Sequence, residues 1–142
     1  MNNILADCAR FTSQFEGCKL QTYRDSVGVL TIGYGTTKNV TENMVITESQ
    51  ALEFLQIDLT KALYAVKQLI KISLNPNQII ALCDFVYNLG AGSLKRSTLR
   101  MKLNRNELDE VPKEFLRYNK AGGRILKGLI KRRYAEAQLF KY

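Results

Sequence analysis

Near the start of the chain, apolar side chains recur at helical spacing: Ile4, Leu5, Cys8, Phe11 and Phe15, with Thr12 on the same stripe. The pattern predicts a helix over residues 3–15. Glu16 then stands at its end, with Gly17 just beyond as a C-cap. From residue 19 the period changes. Leu20, Thr22 and Tyr23, then Val27, Val29, Leu30, Ile32 and Tyr34, predict short strands over 19–36. Asp25, Ser26 and Gly28 supply the turn between them. Gly33 and Gly35 alternate with Ile32 and Tyr34, a placement that suggests close approach of backbone or ligand.

Thr47 and Gln50 form a T-x-x-Q capping box, and Leu52, Leu55, Leu59, Leu63, Val66 and Ile70 follow at steps of three or four. The pattern predicts a helix from 48 to about 71, roughly 35 Å long, enough to link two lobes. Its Glu53, Asp58 and Lys61 are expected to face solvent. Asn75-Pro76-Asn77-Gln78 is a second start signal, followed by the almost wholly apolar run Ile79–Leu89. That run predicts a buried central helix ended by Gly90 and Gly92. Ser97 or Thr98 caps a short helix through Leu103, and another helix runs from Glu107 to Tyr118. Gly122-Gly123 break the chain. The last helix is expected over about 124–140, with Leu126, Leu129, Ile130, Tyr134, Ala137 and Leu139 facing inward and Lys127, Lys131 and Arg132 mostly elsewhere.

The order of elements predicts an α+β fold: a small N-terminal lobe with a β-hairpin (about 15–46), a long linker helix (about 47–71) and a larger all-helical lobe (about 72–142). The helix over 3–15 is expected to pack on the larger lobe. A chain of 142 residues, 46% of them hydrophobic, suffices for this. No run approaches the ~18 apolar residues of a membrane span, and Asp7 and Arg10 interrupt any secretory signal at the start.

Charge is uneven. Residues 1–112 carry 12 basic and 11 acidic side chains, whereas 113–142 carry 9 and 2. The C-terminal segment therefore favours an anionic partner such as nucleic acid, anionic lipid or cell wall. No zinc finger or nucleic-acid reading helix accompanies it. The chain has no histidine and three scattered cysteines, Cys8, Cys18 and Cys83, which make poor metal spacing and no disulfide framework. No metal or cofactor is expected. The cysteines are expected to be small buried hydrophobes in a reducing compartment.

Glu16, Asp25 and Thr31 are the candidate chemistry. Breaking a glycosidic bond needs one protonated carboxyl and one ionised carboxylate. Glu16, at a helix C-terminus beside Phe15, is placed to stay protonated. Asp25, in a polar turn, suits a base or charge stabiliser, and Thr31 can aim a water. Spacing alone also fits two surface carboxylates on an ordinary hairpin.

The segment FEGCKLQTYRDSVGVLTIGYGTT resembles the catalytic region of phage endolysins of the T4-type lysozyme family, in its lambdoid-phage branch. Glu16, Asp25, Thr31, Ile32, Gly33, Tyr34 and Gly35 match that family's motif in order and spacing. NPNQIIALCDFVYNLGAGSLKRSTLRMKLN is similar to its central helix and following turn, and AGGRILKGLIKRRYAEAQLF to its C-terminal segment. The resemblance implies a lysozyme-like fold and a muramidase cutting the β-1,4 bond from N-acetylmuramic acid to N-acetylglucosamine in peptidoglycan. By carry-over Glu16 is the general acid, Asp25 assists the water and Thr31 positions it. Arg132 or Arg133 is the implied ion-pair partner of Glu16. Tyr23, Arg24, Tyr34, Asn88, Ser97, Thr98 and Tyr118 are candidate substrate contacts, although Asn88, Ser97 and Thr98 also suit structural roles.

Two positions depart from the motif. Thr36 stands where relatives often carry a histidine, so the turn needs another support. Tyr118 stands where they often carry a tryptophan, and can stack on sugar or on core. A lytic transglycosylase and a basic wall- or nucleic-acid-binding module are the alternatives. The resemblance further implies a monomer made in the host cytoplasm that reaches periplasmic peptidoglycan through a holin pore.

Overall fold

The computed structural model describes residues 3–142. Two compact units divide the chain inside one helix, the first ending at Lys61 and the second beginning at Ala62.

In the first unit, α1 (Ile4–Ser13) opens under Asn3, whose side chain accepts a hydrogen bond from the Ala6 N–H. It buries Cys8, Ala9 and Thr12. The helix stops at Ser13, with Gln14 as C-cap, three residues short of Glu16. Gly17 is therefore not its cap, and the argument from a helix end no longer applies to Glu16.

β1 (Lys19–Arg24) and β2 (Leu30–Gly33) form an antiparallel hairpin in which Tyr23 faces Thr31 and Arg24 faces Leu30, with an irregularity between Lys19 and Tyr23. On the other edge of β1, the Thr22 N–H donates to Met44 O at 3.1 Å and the Ile46 N–H to Leu20 O at 2.9 Å. Gly33 adopts φ +66°, and a Cβ there would lie 3.3 Å from Ala51 Cβ. The close approach read from the glycines is thus, at Gly33, a backbone against a helix.

The reverse turn after β2 returns from Thr36 to Ile32 through paired backbone bonds of 2.9 Å each way. The Thr36 hydroxyl donates to Asp58 Oδ2 at 2.7 Å, which supplies the support expected in place of a histidine. Asp58 is accordingly half-buried rather than solvent-facing. Burial pushes its carboxyl up, against the opposing effects of the Thr36 hydrogen bond and Lys38.

α2 (Glu48–Leu69) starts as the sequence indicates: Gln50 Oε1 accepts from the Thr47 N–H and Thr47 Oγ1 from the Gln50 N–H.

The second unit is built on α3 (Pro76–Leu89), opened by the Asn75–Gln78 capping box. Two departures from expectation follow it. Gly90 ends α3, but Gly92 lies inside a further short helix, α4 (Ala91–Arg96). α5 (Thr98–Asn104) then begins under Ser97. The expected helix over 107–118 shortens to a 3-10 turn (Leu108–Glu110) and α6 (Val111–Phe115).

This unit is not all-helical either. β3 (Lys120–Ala121) and β4 (Arg124–Ile125) pair antiparallel around Gly122 (φ 58°) and Gly123 (φ 77°). Positive φ at both central residues is what a tight two-residue hairpin loop demands.

α7 (Lys127–Phe140) therefore starts later than expected, and its inward face is a different one. Arg132, Arg133, Glu136, Ala137 and Phe140 are buried, while Leu126, Ile130 and Tyr134 are exposed. Phe85, Phe115 and Phe140 form the aromatic centre, with ring centroids 5.7 and 5.8 Å apart along the series.

Candidate active site

The hairpin turn builds the first half of the site. The Asp25 N–H donates to Val29 O at 3.0 Å and the Gly28 N–H to Asp25 O at 3.0 Å. Asp25 Oδ1 accepts from Val27 N–H at 3.0 Å and from Val29 N–H at 2.9 Å. Gly28, at φ 86°, permits the tight return. One carboxylate oxygen is thus pinned by the backbone. Oδ2 has no hydrogen-bond partner among the described residues.

Thr31 faces Tyr23 across the strands, and Asp25 lies two residues beyond Tyr23 on the same side of the pleat. Asp25 and Thr31 thereby take diagonal register positions across the hairpin. Thr31 is buried, and its hydroxyl donates to Val29 O at 2.9 Å. With its hydrogen committed, Oγ1 offers lone pairs and acts as an acceptor.

Glu16 belongs to a neighbouring cavity of about 330 Å³, whose wall includes Cys18, Lys19, Tyr23 and Tyr34. Lys19 Nζ lies 5.5 Å from the Tyr23 ring centroid. Tyr34 is buried, which together with Cys18 and Glu48 holds its phenol above the usual tyrosine value. Tyr23 is the shared element: it borders the cavity of Glu16 and pairs with Thr31. Asp25 and Thr31 themselves do not line that cavity.

Several candidate contacts have structural work instead. Arg24 fastens the turn, donating to Gly28 O at 2.9 Å and pairing with Glu42 at 2.6 Å. Ser97 is buried; its hydroxyl donates to Leu94 O at 2.7 Å and accepts from the Arg100 N–H at 2.9 Å. Thr98 is exposed at the first position of α5. Tyr118 packs edge-on against Phe85 at 4.9 Å, the core alternative rather than an open platform. Asn88 Oδ1 is buried without a hydrogen-bond partner among the described residues. The cysteines are all free, and Cys18 is exposed rather than buried.

In the second unit, α3 and α7 enclose a group of charges that sequence reasoning missed. Arg132 grips Asp84 bidentately, Nε to Oδ2 at 2.9 Å and Nη2 to Oδ1 at 2.8 Å. Arg133 Nη2 donates to Glu136 Oε2 at 3.0 Å. Arg133 Nε and Glu136 Oε1 stand 2.7 Å apart but off hydrogen-bond alignment. Arg133 also lies over the Phe85 ring at 5.4 Å.

Burial, reinforced by a hydrogen bond with Asp84 and by its charge, pushes the Glu136 carboxyl up to about 10 against the opposing pull of Arg133 and Arg132. Glu136 is therefore protonated at neutral pH, and Asp84 receives its hydrogen bond. Burial lowers Arg133 from its ordinary value. Arg132 was expected outside, but lies in this enclosed group. Asp84, the one charged residue of Ile79–Leu89, and the Arg132-Arg133…Glu136 spacing were the signals available for it.

The Phage lysozyme family matches residues 13–136, and the chain belongs to that family. It is 39% identical over 132 residues to the endolysin of Acyrthosiphon pisum secondary endosymbiont phage 1, covering 90% of each. It is 38% identical over 141 residues to the endolysin of Bacillus phage B103, covering 97% of this chain and 54% of that relative. Among solved structures, a point mutant of P22 lysozyme shares the fold at TM-score 0.90 with 32% identity, each chain covered to 100%. The lysozyme-like α+β fold and the lambdoid branch are thus as the sequence indicated, and the family's role is that of a lytic, glycosidase-type enzyme.

Proposed function

We propose that the protein is an endolysin that hydrolyses the β-1,4 bond between N-acetylmuramic acid and N-acetylglucosamine of peptidoglycan. The observation that carries the reading is the Asp25 turn. Its carboxylate has one oxygen tied by two N–H groups, and its other oxygen and the Thr31 hydroxyl oxygen offer two acceptors on one face. A water donating to both directs a lone pair outward. In this reading Glu16 protonates the bridging oxygen as its bond to the anomeric carbon breaks. The water attacks that carbon from the other side and passes its proton to Asp25. Glu16 ends as carboxylate and Asp25 as acid, and solvent exchange restores both. Attack from the opposite side inverts the anomeric centre.

Tyr23, bordering Glu16, presents ring surface for a sugar, whereas Tyr34 is buried in the wall behind it. Arg132 and Arg133 are both engaged inside the second unit, with Asp84 and Glu136 respectively. Asn88 and Thr98 remain candidate contacts. No metal or cofactor enters this chemistry. Action follows synthesis in the host cytoplasm and release to the periplasm through a holin pore, the protein working as a monomer. No helix among the described residues is long and apolar enough to cross a membrane.

Mass spectrometry of peptidoglycan digests tests the reading. Reducing muramic ends, with inverted anomeric configuration at early times, are expected. Anhydro-muramic ends would reassign the chain as a transglycosylase, and uncut glycan would leave only wall binding.

A further inference from the structure

Residues 115–135 contain seven basic side chains and no acidic one. Three of the seven have acid partners: Arg117 Nε is 3.2 Å from Glu114 Oε1, Arg132 holds Asp84, and Arg133 lies beside Glu136. The remaining four, Lys120, Arg124, Lys127 and Lys131, are exposed and make no ion pair among the described residues.

Between these cations stand exposed apolar side chains: Ile125 at 60%, Leu126 at 42%, Ile130 at 46% and Tyr134 at 57% of full exposure. Their arrangement is regular. Lys120 faces Ile125 across the β3–β4 pair, so both project to one side. Leu126, Ile130 and Tyr134 follow at successive four-residue steps, and Lys127 and Lys131 flank them on the adjacent ridge. Arg132, Arg133, Glu136 and Phe140 take the buried side. The Leu126 N–H donates to Asn119 O at 3.0 Å, tying the start of α7 to the base of the hairpin. Hairpin and helix thus present one surface.

Uncompensated charge alone suits any polyanion. The exposed apolar side chains do not: three of the four are aliphatic and lack the ring face on which a base or a sugar stacks. They fit a partner that has an apolar layer beneath an anionic one.

We propose that this face docks on an anionic lipid leaflet. The four cations meet the headgroup phosphates, and Ile125, Leu126 and Ile130 enter the boundary below them. Tyr134 sits at headgroup level, where a ring with a polar tip is best accommodated. The inference needs neither Glu16 nor Asp25, so it stands or falls apart from the glycosidase reading.

Flotation of the full-length chain with vesicles tests it. Vesicles of phosphatidylglycerol and phosphatidylcholine are expected to carry the protein, more at low salt than at high salt, and pure phosphatidylcholine vesicles to leave it behind. The variant with Lys120, Arg124, Lys127 and Lys131 all changed to Gln is expected to lose binding by at least about tenfold. Ile125→Ser with Ile130→Ser, which keeps every charge, is expected to lose about tenfold through the lost apolar insertion. Far-UV circular dichroism checks that both variants fold.

Equal binding to neutral vesicles, or full binding by the four-Gln variant, would overturn the proposal. So would undiminished binding by the two-Ser variant, which would mean a surface reading charge alone. Purified wall sacculi incubated with Glu16→Gln form the comparison arm. Capture there that exceeds vesicle capture, and ignores the two Ile→Ser changes, assigns the face to the wall instead.

Discussion

Carboxyl groups organise this molecule at two places, and they are held there in opposite ways. Asp25 in the first unit is fixed by backbone N–H groups of its own turn, and one of its oxygens is left without a protein partner. Asp84 and Glu136 in the second unit are enclosed with two guanidinium groups and have no exposure. The contrast separates two uses of charge. A carboxylate set by the main chain keeps its place while its chemistry stays available. A carboxylate set by buried arginines holds packing together and offers nothing to solvent. A strongly displaced carboxyl, here Glu136 at about 10, is therefore not by itself a sign of the active site.

The contrast can be broken at several points. The largest effect is expected from Glu16→Gln, which removes the proton donor at nearly unchanged shape. Clearing of chloroform-treated Gram-negative cells should fall by about 10³-fold, within the range for a lost general acid, while the thermal midpoint holds. Substantial clearing by the folded variant would remove Glu16 from the acid role.

Asp84→Ala should do the reverse. Stripping Arg132 of its enclosed partner is expected to lower the unfolding free energy by about 3–5 kcal/mol, read from urea titration. A loss under about 1 kcal/mol would mean water reaches the group.

Asp25→Asn sharpens the comparison further. Its side-chain oxygen still accepts from Val27 and Val29, so the turn should survive. The base is gone, and activity should drop about 10²-fold. Loss of stability on the same scale as Asp84→Ala would show that the two sites are not held differently.

The most gradual effect concerns pH. Glu136 has a folded-state pKa raised from 4.5 to about 10. Its contribution to stability is fully present below the unfolded value and is lost as pH rises through the folded one. Between them the folded chain keeps a proton that the unfolded chain releases, so this group makes stability decline as pH rises. Glu136→Gln, neutral at every pH and able to accept from Arg133 and donate to Asp84, should flatten that decline between pH 5 and 9. An unchanged slope in urea titrations would place the proton elsewhere.

Legibility in the sequence followed the locality of the signal. Thr47-x-x-Gln50 and Asn75-Pro76-Asn77-Gln78 are self-contained, and both helices begin where those residues place them. The hairpin around Asp25 was legible for the same reason. The β3–β4 pair was not read, although Gly-Gly between Lys120-Ala121 and Arg124-Ile125 is a hairpin signal; strands of two residues leave no alternation to detect.

The face of α7 was misread because periodicity arguments put charge outside. Arg132, Arg133 and Glu136 go inside as one packed group, and Asp84 on a distant segment supplies the charge that Arg132 pairs with. The end of α1 shows the same limit at smaller scale. Phe11 and Phe15 meet edge-on with centroids 5.3 Å apart, yet Phe15 already lies beyond the helix. The candidate triad was legible by its motif. Reassigning Arg24 and Ser97 needed coordinates, because a long cation or a small hydroxyl reads alike as anchor or as contact.

The Thr36–Asp58 contact has one more consequence. A hydroxyl cannot gain or lose charge under physiological conditions, and the chain lacks imidazole altogether. The bend behind the hairpin is thus tied by a donor indifferent to the acidity of its surroundings, and any response of that knot to acid comes from its acceptor, the half-buried Asp58 carboxyl, which burial makes readier to take up a proton.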